Sequence, residues 1–207
     1  MIAPTNLSRM FGSIDIYLFD QLLRGRMPPG SKILDAGCGS GRNIRYLLDA
    51  GYEVSAVDAD PNAIGEVMRL AADLNASLSP TNFRREAVEA MSFADESMDV
   101  VLSIAVLHFA LSDEQFEGML ESMWRVLKPG GLLFCRLASN IGMETRMVQR
   151  KGRRHLLPDG SERYLVDEAL LLDWTRRLGG ALLDPLKTTI VQDQRCMTTW
   201  VLRKGTA

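Results

Sequence analysis

The sequence predicts an α/β fold with a mostly parallel sheet, on three observations. From Lys32 to Ala138, apolar runs of strand length alternate with segments of helical apolar spacing. That order calls for right-handed crossovers and parallel pairing. Within it, Asp99-Val100-Val101-Leu102-Ser103 is a strand of the kind buried on both faces of a parallel sheet. The alternation then stops: the runs Ala181 to Leu186 and Arg195 to Arg203 follow one another with no helix between them. They predict an antiparallel hairpin at one edge.

Ile14, Leu18, Leu22 and Leu23 predict an N-terminal helix that ends before Pro28-Pro29-Gly30. The first strand covers Lys32 to Ala36, and the first crossover helix Arg42 to Ala50, stopped by Gly51. The second strand ends at Asp58. Asp60 caps the next helix, with Pro61 at its first position and Ile64, Val67, Met68 and Ala71 on one face. A short strand near Asn82 to Arg85 precedes a variable stretch to Glu96. After the fourth strand, Ser112 and Gln115 form a capping-box pattern for a helix carrying Phe116, Met119, Leu120, Met123 and Leu127. Lys128-Pro129-Gly130-Gly131 breaks that helix, and Leu132 to Ala138 is strand five. Asp167 caps the last helix, which bears Leu171, Trp174 and Leu178. Residues 139–166 are too polar for a crossover helix. Pro158-Asp159-Gly160-Ser161 reads as a turn between Leu156-Leu157 and Arg163-Tyr164-Leu165, which makes the segment a candidate lid over the carboxyl ends of the strands.

Length and composition suit one domain. The chain has 207 residues, 46% of them hydrophobic, and a net charge of −2 from 24 basic and 26 acidic side chains. Near-balance of charge argues against a protein held chiefly by nucleic-acid phosphates. The exception is local: Arg146, Arg150, Lys151, Arg153 and Arg154 crowd together. The three cysteines show no metal-ligand spacing and no disulfide framework, and Cys135 and Cys196 read as small core residues. No apolar run approaches the length of a membrane span, and the N-terminus lacks a signal-like apolar region, so a cytoplasmic location is expected.

Residues 33–43, Ile-Leu-Asp-Ala-Gly-Cys-Gly-Ser-Gly-Arg-Asn, carry the functional signal. A strand, a turn with almost no side chains (Gly37, Gly39, Gly41) and a helix opening at Arg42 and Asn43 bring free backbone N–H groups up to a small ligand. Asp58 closes the next strand roughly 20 residues on, where an acid accepts hydrogen bonds from both hydroxyls of a ribose. Together they predict an adenosine-type cofactor. A dinucleotide fold needs Gly-x-Gly-x-x-Gly, and here Arg42 stands where its third glycine belongs.

With the terminal hairpin and the Lys128-Pro129-Gly130-Gly131 turn, these motifs resemble those of the class I S-adenosylmethionine-dependent methyltransferases, from about Lys32 to Arg136. Gly41-Arg42-Asn43 further resembles the small type 11, tellurite-resistance-like and ubiquinone-biosynthesis-like members. The resemblance implies a Rossmann-like three-layer sandwich: a mostly parallel seven-stranded sheet with an antiparallel C-terminal hairpin. It implies a single domain over residues 1–207: a cap helix in 1–30, a cofactor-binding core in 31–138, the lid in 139–166, and a terminal helix and hairpin in 167–207. It also implies S-adenosyl-L-methionine as cofactor and S-adenosyl-L-homocysteine as product. Leu34 to Gly41 is similar to the family's first motif, with Asp35 near the amino end of the methionine moiety, Gly37 and Gly39 allowing close backbone approach, and Ala36 and Cys38 among the implied cofactor-binding residues. Arg42 and Asn43 continue that loop. Val57-Asp58-Ala59 is similar to the strand-two acid motif, with Asp58 on the ribose and Ala59 beside the adenine. Glu86-Ala87 stands where the family usually has Asp-Ala, and Ser103 to His108 corresponds to the segment near the sulfonium.

The acceptor side is read from the residues themselves. His108 lies where an acceptor should come and is a candidate base, or else a packing residue with a satisfied ring nitrogen. Arg136 shares a strand face with Leu132, Phe134 and Ala138, so its charge needs a partner, either a protein carboxylate or an acidic group on the acceptor. The basic cluster is either a solvated loop face or, with Arg163 and Tyr164, a lid that attracts an anion. Ser103-Ile104-Ala105-Val106 is not the Asn/Asp-Pro-Pro-Tyr/Phe run of base-modifying enzymes, and no cluster of His and carboxylates suggests a metal. A small-molecule acceptor leads. A non-catalytic cofactor-binding module and a nicotinamide-dependent oxidoreductase stay open as alternatives.

Overall fold

The computed structural model describes residues 4–74 and 78–206. Five parallel strands form one continuous side of the main sheet: β1 (Lys32–Ala36), β2 (Glu53–Asp58), β3 (Phe83–Arg85), β4 (Met98–Ile104) and β5 (Leu127–Ala138). A second, antiparallel sheet holds β6 (Val148–Lys151), β7 (Arg154–Leu156) and β8 (Glu162–Tyr164). Near the C-terminus come β9 (Gly180–Leu182), β10 (Lys187–Val191) and β11 (Arg195–Lys204). The main sheet runs β10-β11-β5-β4-β1-β2-β3, with β9 pairing the far end of β11. The seven strands in line are those the resemblance implies, and β9 is an eighth. The terminal arm read as Ala181 to Leu186 holds only the end of β9 and a connection, and the hairpin strand itself begins beyond it at Lys187. β9 pairs Leu202 to Lys204, while the hairpin partner of β11 is β10. Asp184 and Pro185 separate them; the Asp184 carboxylate is drawn out of strand by Arg26, 2.7 Å away, and by the Gln21 amide.

Strand alternation sorts the core into two layers, because successive side chains leave opposite faces of a sheet. Leu34, Val101, Leu133 and Cys135 meet α5 (Asp113–Val126) and α6 (Glu168–Arg177) through Phe116, Leu120, Met123, Leu171 and Trp174. Ile33, Val100, Leu102 and Phe134 meet the other layer through Leu18, Leu47, Ile64 and Val67. Those residues belong to α2 (Ile16–Leu23), α3 (Arg45–Asp49) and α4 (Pro61–Asp73). The result is the expected three-layer sandwich.

Boundaries moved where a local contact outweighed the pattern. The N-terminal segment forms two helices, α1 (Pro4–Phe11) and α2, separated by a turn at Gly12. Asp15 starts the second by accepting from the Tyr17 and Leu18 amides at 3.0 and 3.4 Å. The first crossover helix begins at Arg45, so Arg42 and Asn43 belong to the turn. A five-residue helix offers no dipole for an anion, and the loop's ligand contacts must come from its own amides. Lys128 to Gly131 lies inside β5 as an irregular register step. The reciprocal half of the capping box shifts by one residue: Ser112 accepts from Gln115 N, but the Gln115 side chain accepts from Leu111 N.

Arg136 finds a protein carboxylate. Its Nη1 donates to Asp15 Oδ2 at 2.9 Å, with Asp15 almost wholly buried. Removing one member of a buried pair leaves the other charge uncompensated. Asp15→Ala should therefore lose about 3 kcal/mol or more in urea unfolding. Asp15→Asn, which keeps an acceptor for the cap, should lose less; equal losses would mean that the pairing alone, and not the cap, carries the cost.

Candidate functional site

Strand order reverses between β1 and β4, which grow to opposite sides of the sheet; an open α/β sheet offers its ligand crevice at such a point, outside the carboxyl ends. The loops after these two strands touch. Gly37 sits at φ +87°, and a Cβ there would fall 2.4 Å from Val106 Cγ2. Residue 37 is glycine for both reasons, conformation and space. Ala105, across the crevice, is a non-glycine residue at φ +62°, held there by its amide donating to Arg136 O at 2.8 Å. Such strain in a residue with a Cβ is sustained only by its surroundings, and it clusters at ligand sites.

A cavity of about 480 Å³ opens at this junction, within the usual range for small-ligand sites. Of the residues singled out from the sequence, Gly37, Cys38, Gly39, Arg42, Asn43, Asp58, Ala59 and Ala87 line it. Asp58 holds the loop: Oδ2 accepts from Gly39 N and Oδ1 from Asp60 N, each at 2.9 Å. An ionised carboxylate offers about four acceptor positions, so two remain for a ligand diol. Asn43 is fixed by accepting from Asp15 N at 3.0 Å, and Arg42 by donating to Ser13 O at 3.1 Å.

Four of the singled-out positions do not line the cavity. Asp35 and Ala36 are the last two residues of β1 and are buried in the sheet below it. Glu86 turns back on its own loop, accepting from the Ser92 amide at 2.8 Å and from the Ser92 hydroxyl. Ser103 is buried inside β4, its hydroxyl unpartnered. The wall they were expected to supply comes instead from Val88, Glu89, Phe109, Gln115 and Met119. Glu89 and Gln115 are joined by a 2.8 Å hydrogen bond from Gln115 Nε2. These residues lie in two short 3₁₀ turns and on a helix face, where periodicity gives no ligand signal. Apolar Met119 on a helix face reads as core.

A second cavity of about 350 Å³ shares Ala105 and Phe109 with the first. It gathers His108, Arg136 and Arg163, three of the four residues assigned to the acceptor side. The fourth, Tyr164, is elsewhere: it is buried, stacked on Phe116 at 4.7 Å, and its hydroxyl donates to Asp113 Oδ1 at 2.7 Å. Strand alternation explains the split, since neighbouring residues of β8 face opposite ways. The basic cluster is mostly spent on the protein itself. Arg153 pairs Asp167 and Arg154 pairs Glu162, while Arg146 reaches Asp193.

His108 does not present itself as a base. Its Nδ1 accepts from Ala138 N at 3.2 Å, so the proton of the neutral ring is on Nε2. Burial, reinforced by the Arg163 charge, pushes its pKa down to about 4. At neutral pH the ring is an uncharged donor.

Residues 34–135, about half of the chain, match the "Methyltransferase domain" family. The chain belongs to the class I S-adenosylmethionine-dependent methyltransferases. Among its relatives, the uncharacterized methyltransferase YodH of Bacillus subtilis is 37% identical over 51% of this chain and 42% of that protein. A ubiquinone biosynthesis O-methyltransferase of Chelativorans sp. is 30% identical over 76% of this chain and 64% of that protein. The chain thus spans less than two thirds of these relatives. The fold is that of the Burkholderia thailandensis 1,6-didemethyltoxoflavin-N1-methyltransferase, solved with 1,6-didemethyltoxoflavin and S-adenosylhomocysteine bound. The TM-score is 0.65 at 18% identity, covering 100% of this chain and 92% of that one.

Asp35 makes stability depend on pH. Burial, with the neighbouring Asp58 charge adding to it against the pull of Arg42, pushes its carboxyl up to about 7. The unfolded chain sheds this proton near pH 4 while the folded chain keeps it to about 7, so this group's contribution falls across that window and is flat above it. Asp35→Asn should gain on the wild type in thermal unfolding between about pH 4 and pH 7, and keep a constant margin above. A margin independent of pH would show that Asp35 is ionised throughout.

Proposed function

We propose that the chain transfers a methyl group from S-adenosyl-L-methionine to a small-molecule acceptor. The observation that carries this reading is the pair of adjoining cavities sharing Ala105 and Phe109, the first against the glycine loop and Asp58 and the second lined by His108 and two arginines from the candidate acceptor set. The residues present fit the cofactor. Asp58 has free acceptor positions for the ribose hydroxyls, Gly37 and Gly39 leave backbone open to the methionyl part, and Ala59, Ala87, Val88 and Met119 supply an apolar seat for the base. Bound there, the cofactor supplies an activated methyl group on sulfur.

The chain's own contribution is alignment and exclusion of water. Two reactants held in fixed orientation reach effective molarities on the order of 10⁵ to 10⁸ M without a shared catalytic group. His108 would orient an acceptor oxygen or nitrogen by donating from Nε2. Residues 139–166 act as the acceptor-side wall, anchored by Arg154 Nη1 on Ala110 O at 3.1 Å. The whole chain is read as one methyltransferase domain. Cys38, Cys135 and Cys196 are free thiols, which fits the cytoplasm, and none of the described helices is long and apolar enough to cross a membrane.

S-adenosylhomocysteine at about 100 times Kd should stabilise the protein by roughly 2.7 kcal/mol, a shift of roughly 5–10 °C. Asp58→Ala should abolish most of that shift. A shift with NAD alone would overturn the cofactor assignment, and cofactor binding without methyl-donor consumption across a metabolite panel would leave only a binding module. Loss of a general base costs roughly 10²–10⁴-fold in turnover. His108→Gln, which can still donate, should lose far less, and kcat should show no inflection near pH 6.5. A loss of about 10³-fold together with such an inflection would restore the base.

A further inference from the structure

We infer that the second cavity is an oxyanion site, and that the methyl acceptor carries a carboxylate or phosphate on a compact apolar body. This deepens the methyltransfer reading, on which only the word "acceptor" depends. Three guanidinium groups, Arg136, Arg163 and Arg195, face a cavity that holds a single carboxylate, Asp159. Its Oδ1 accepts from the Ser161 amide at 2.9 Å and the Ser161 hydroxyl at 2.6 Å, and the Ser161 hydroxyl, with the Arg195 and Arg163 charges behind it, holds this carboxyl below the usual carboxylate range.

The three arginines come from separate elements, β5, β8 and β11, so sequence proximity does not account for their meeting. Against the three guanidinium groups stand two carboxylates, Asp15 on Arg136 and Asp159 in the cavity wall, which leaves one positive charge in excess. Arg136 spends Nη1 on Asp15, yet its Nε is buried with no partner. Arg163 donates Nη1 only to the Glu162 carbonyl, and its guanidinium lies over the Phe109 ring at 4.8 Å. Neither Arg163 nor Arg195 forms an ion pair among the described residues. Arg136 and Arg163 are part-buried and Arg195 is exposed at the rim; for the two part-buried groups an oxyanion that accepts from their free N–H groups offsets the cost of burial through charge-assisted bonds. The remaining wall is apolar, with Phe109, Leu157 and Met197, which suits a ring-sized body and disfavours a sugar or a polyamine. The neutral His108 adds a donor and no competing negative charge.

Calorimetric titration of the protein loaded with S-adenosylhomocysteine tests this, using 4-hydroxybenzoate, 4-hydroxyphenyl phosphate and the neutral 4-hydroxybenzamide as probes. At least one anion should bind about tenfold or more tightly than the amide. The better of the two anions identifies the head group. In the double variant Arg163→Met/Arg195→Met, checked for an unchanged melting temperature, that preference should collapse to near unity while S-adenosylhomocysteine affinity stays the same. Should the variant not fold, the wild type alone decides: its preference should shrink as salt rises from about 0.05 to about 0.5 M. Equal binding of amide and anions, no binding of any probe, or a preference that ignores both substitution and salt would overturn the proposal. Anion preference without S-adenosylhomocysteine binding would leave this site standing and remove the methyltransfer reading instead.

Discussion

The close approach of two loops, one after β1 and one after β4, governs the rest of this molecule. Residue 37 has no room for even a methyl group beside Val106, so the two strand ends are pressed together where the sheet reverses its order. From that contact follow the strained Ala105 and the wall shared by two cavities. A bulkier residue at 37 would have to displace Val106, which lines the first cavity. Sterics at residue 37 and the hydrogen bond from the Ala105 amide to Arg136 O together set the geometry here.

Asp15 then ties the crevice to the helix that flanks it. Its oxygens start α2 and pair Arg136, and its amide fixes Asn43 in the glycine loop. One buried carboxylate thereby links the first cavity's loop to the second cavity's floor. Buried ion pairs contribute little net stability relative to apolar packing, but breaking one is expensive. That asymmetry gives a physical reason for a charge in this position: it locks Arg136 in one orientation with part of its guanidinium left over.

Much of the parallel core was legible because its strands are continuous apolar runs and its helices carry both a cap and an apolar face. Asp60 and Asp167 start their helices as read. The hairpin of the 139–166 segment also forms, Arg154–Leu156 pairing Glu162–Tyr164. The structure departs from that pattern at three places: the turn at Gly12, after which the local Asp15 cap starts α2; the delayed start of α3 at Arg45; and the connection after Leu182, where Asp184 is held by the distant Arg26. In the site, Gly37, Gly39 and Asp58 were readable since backbone geometry and chain order dictate their use. Glu86 was not, because its carboxylate had a nearer partner in Ser92.

The sequence by itself determined the layered α/β core, the glycine loop with its acid one strand away, and the chemistry that this pair suits. These are consequences of short-range periodicity and of residue types whose backbone freedom or charge has few alternative uses. Only the tertiary structure decided that Arg136, Arg163 and Arg195 share one cavity, that Tyr164 leaves it, and that His108 is a donor. Those facts depend on contacts between residues tens of positions apart. A side chain's protonation and direction are set by whichever neighbour the folded chain brings within reach, and no spacing along the chain encodes that neighbour.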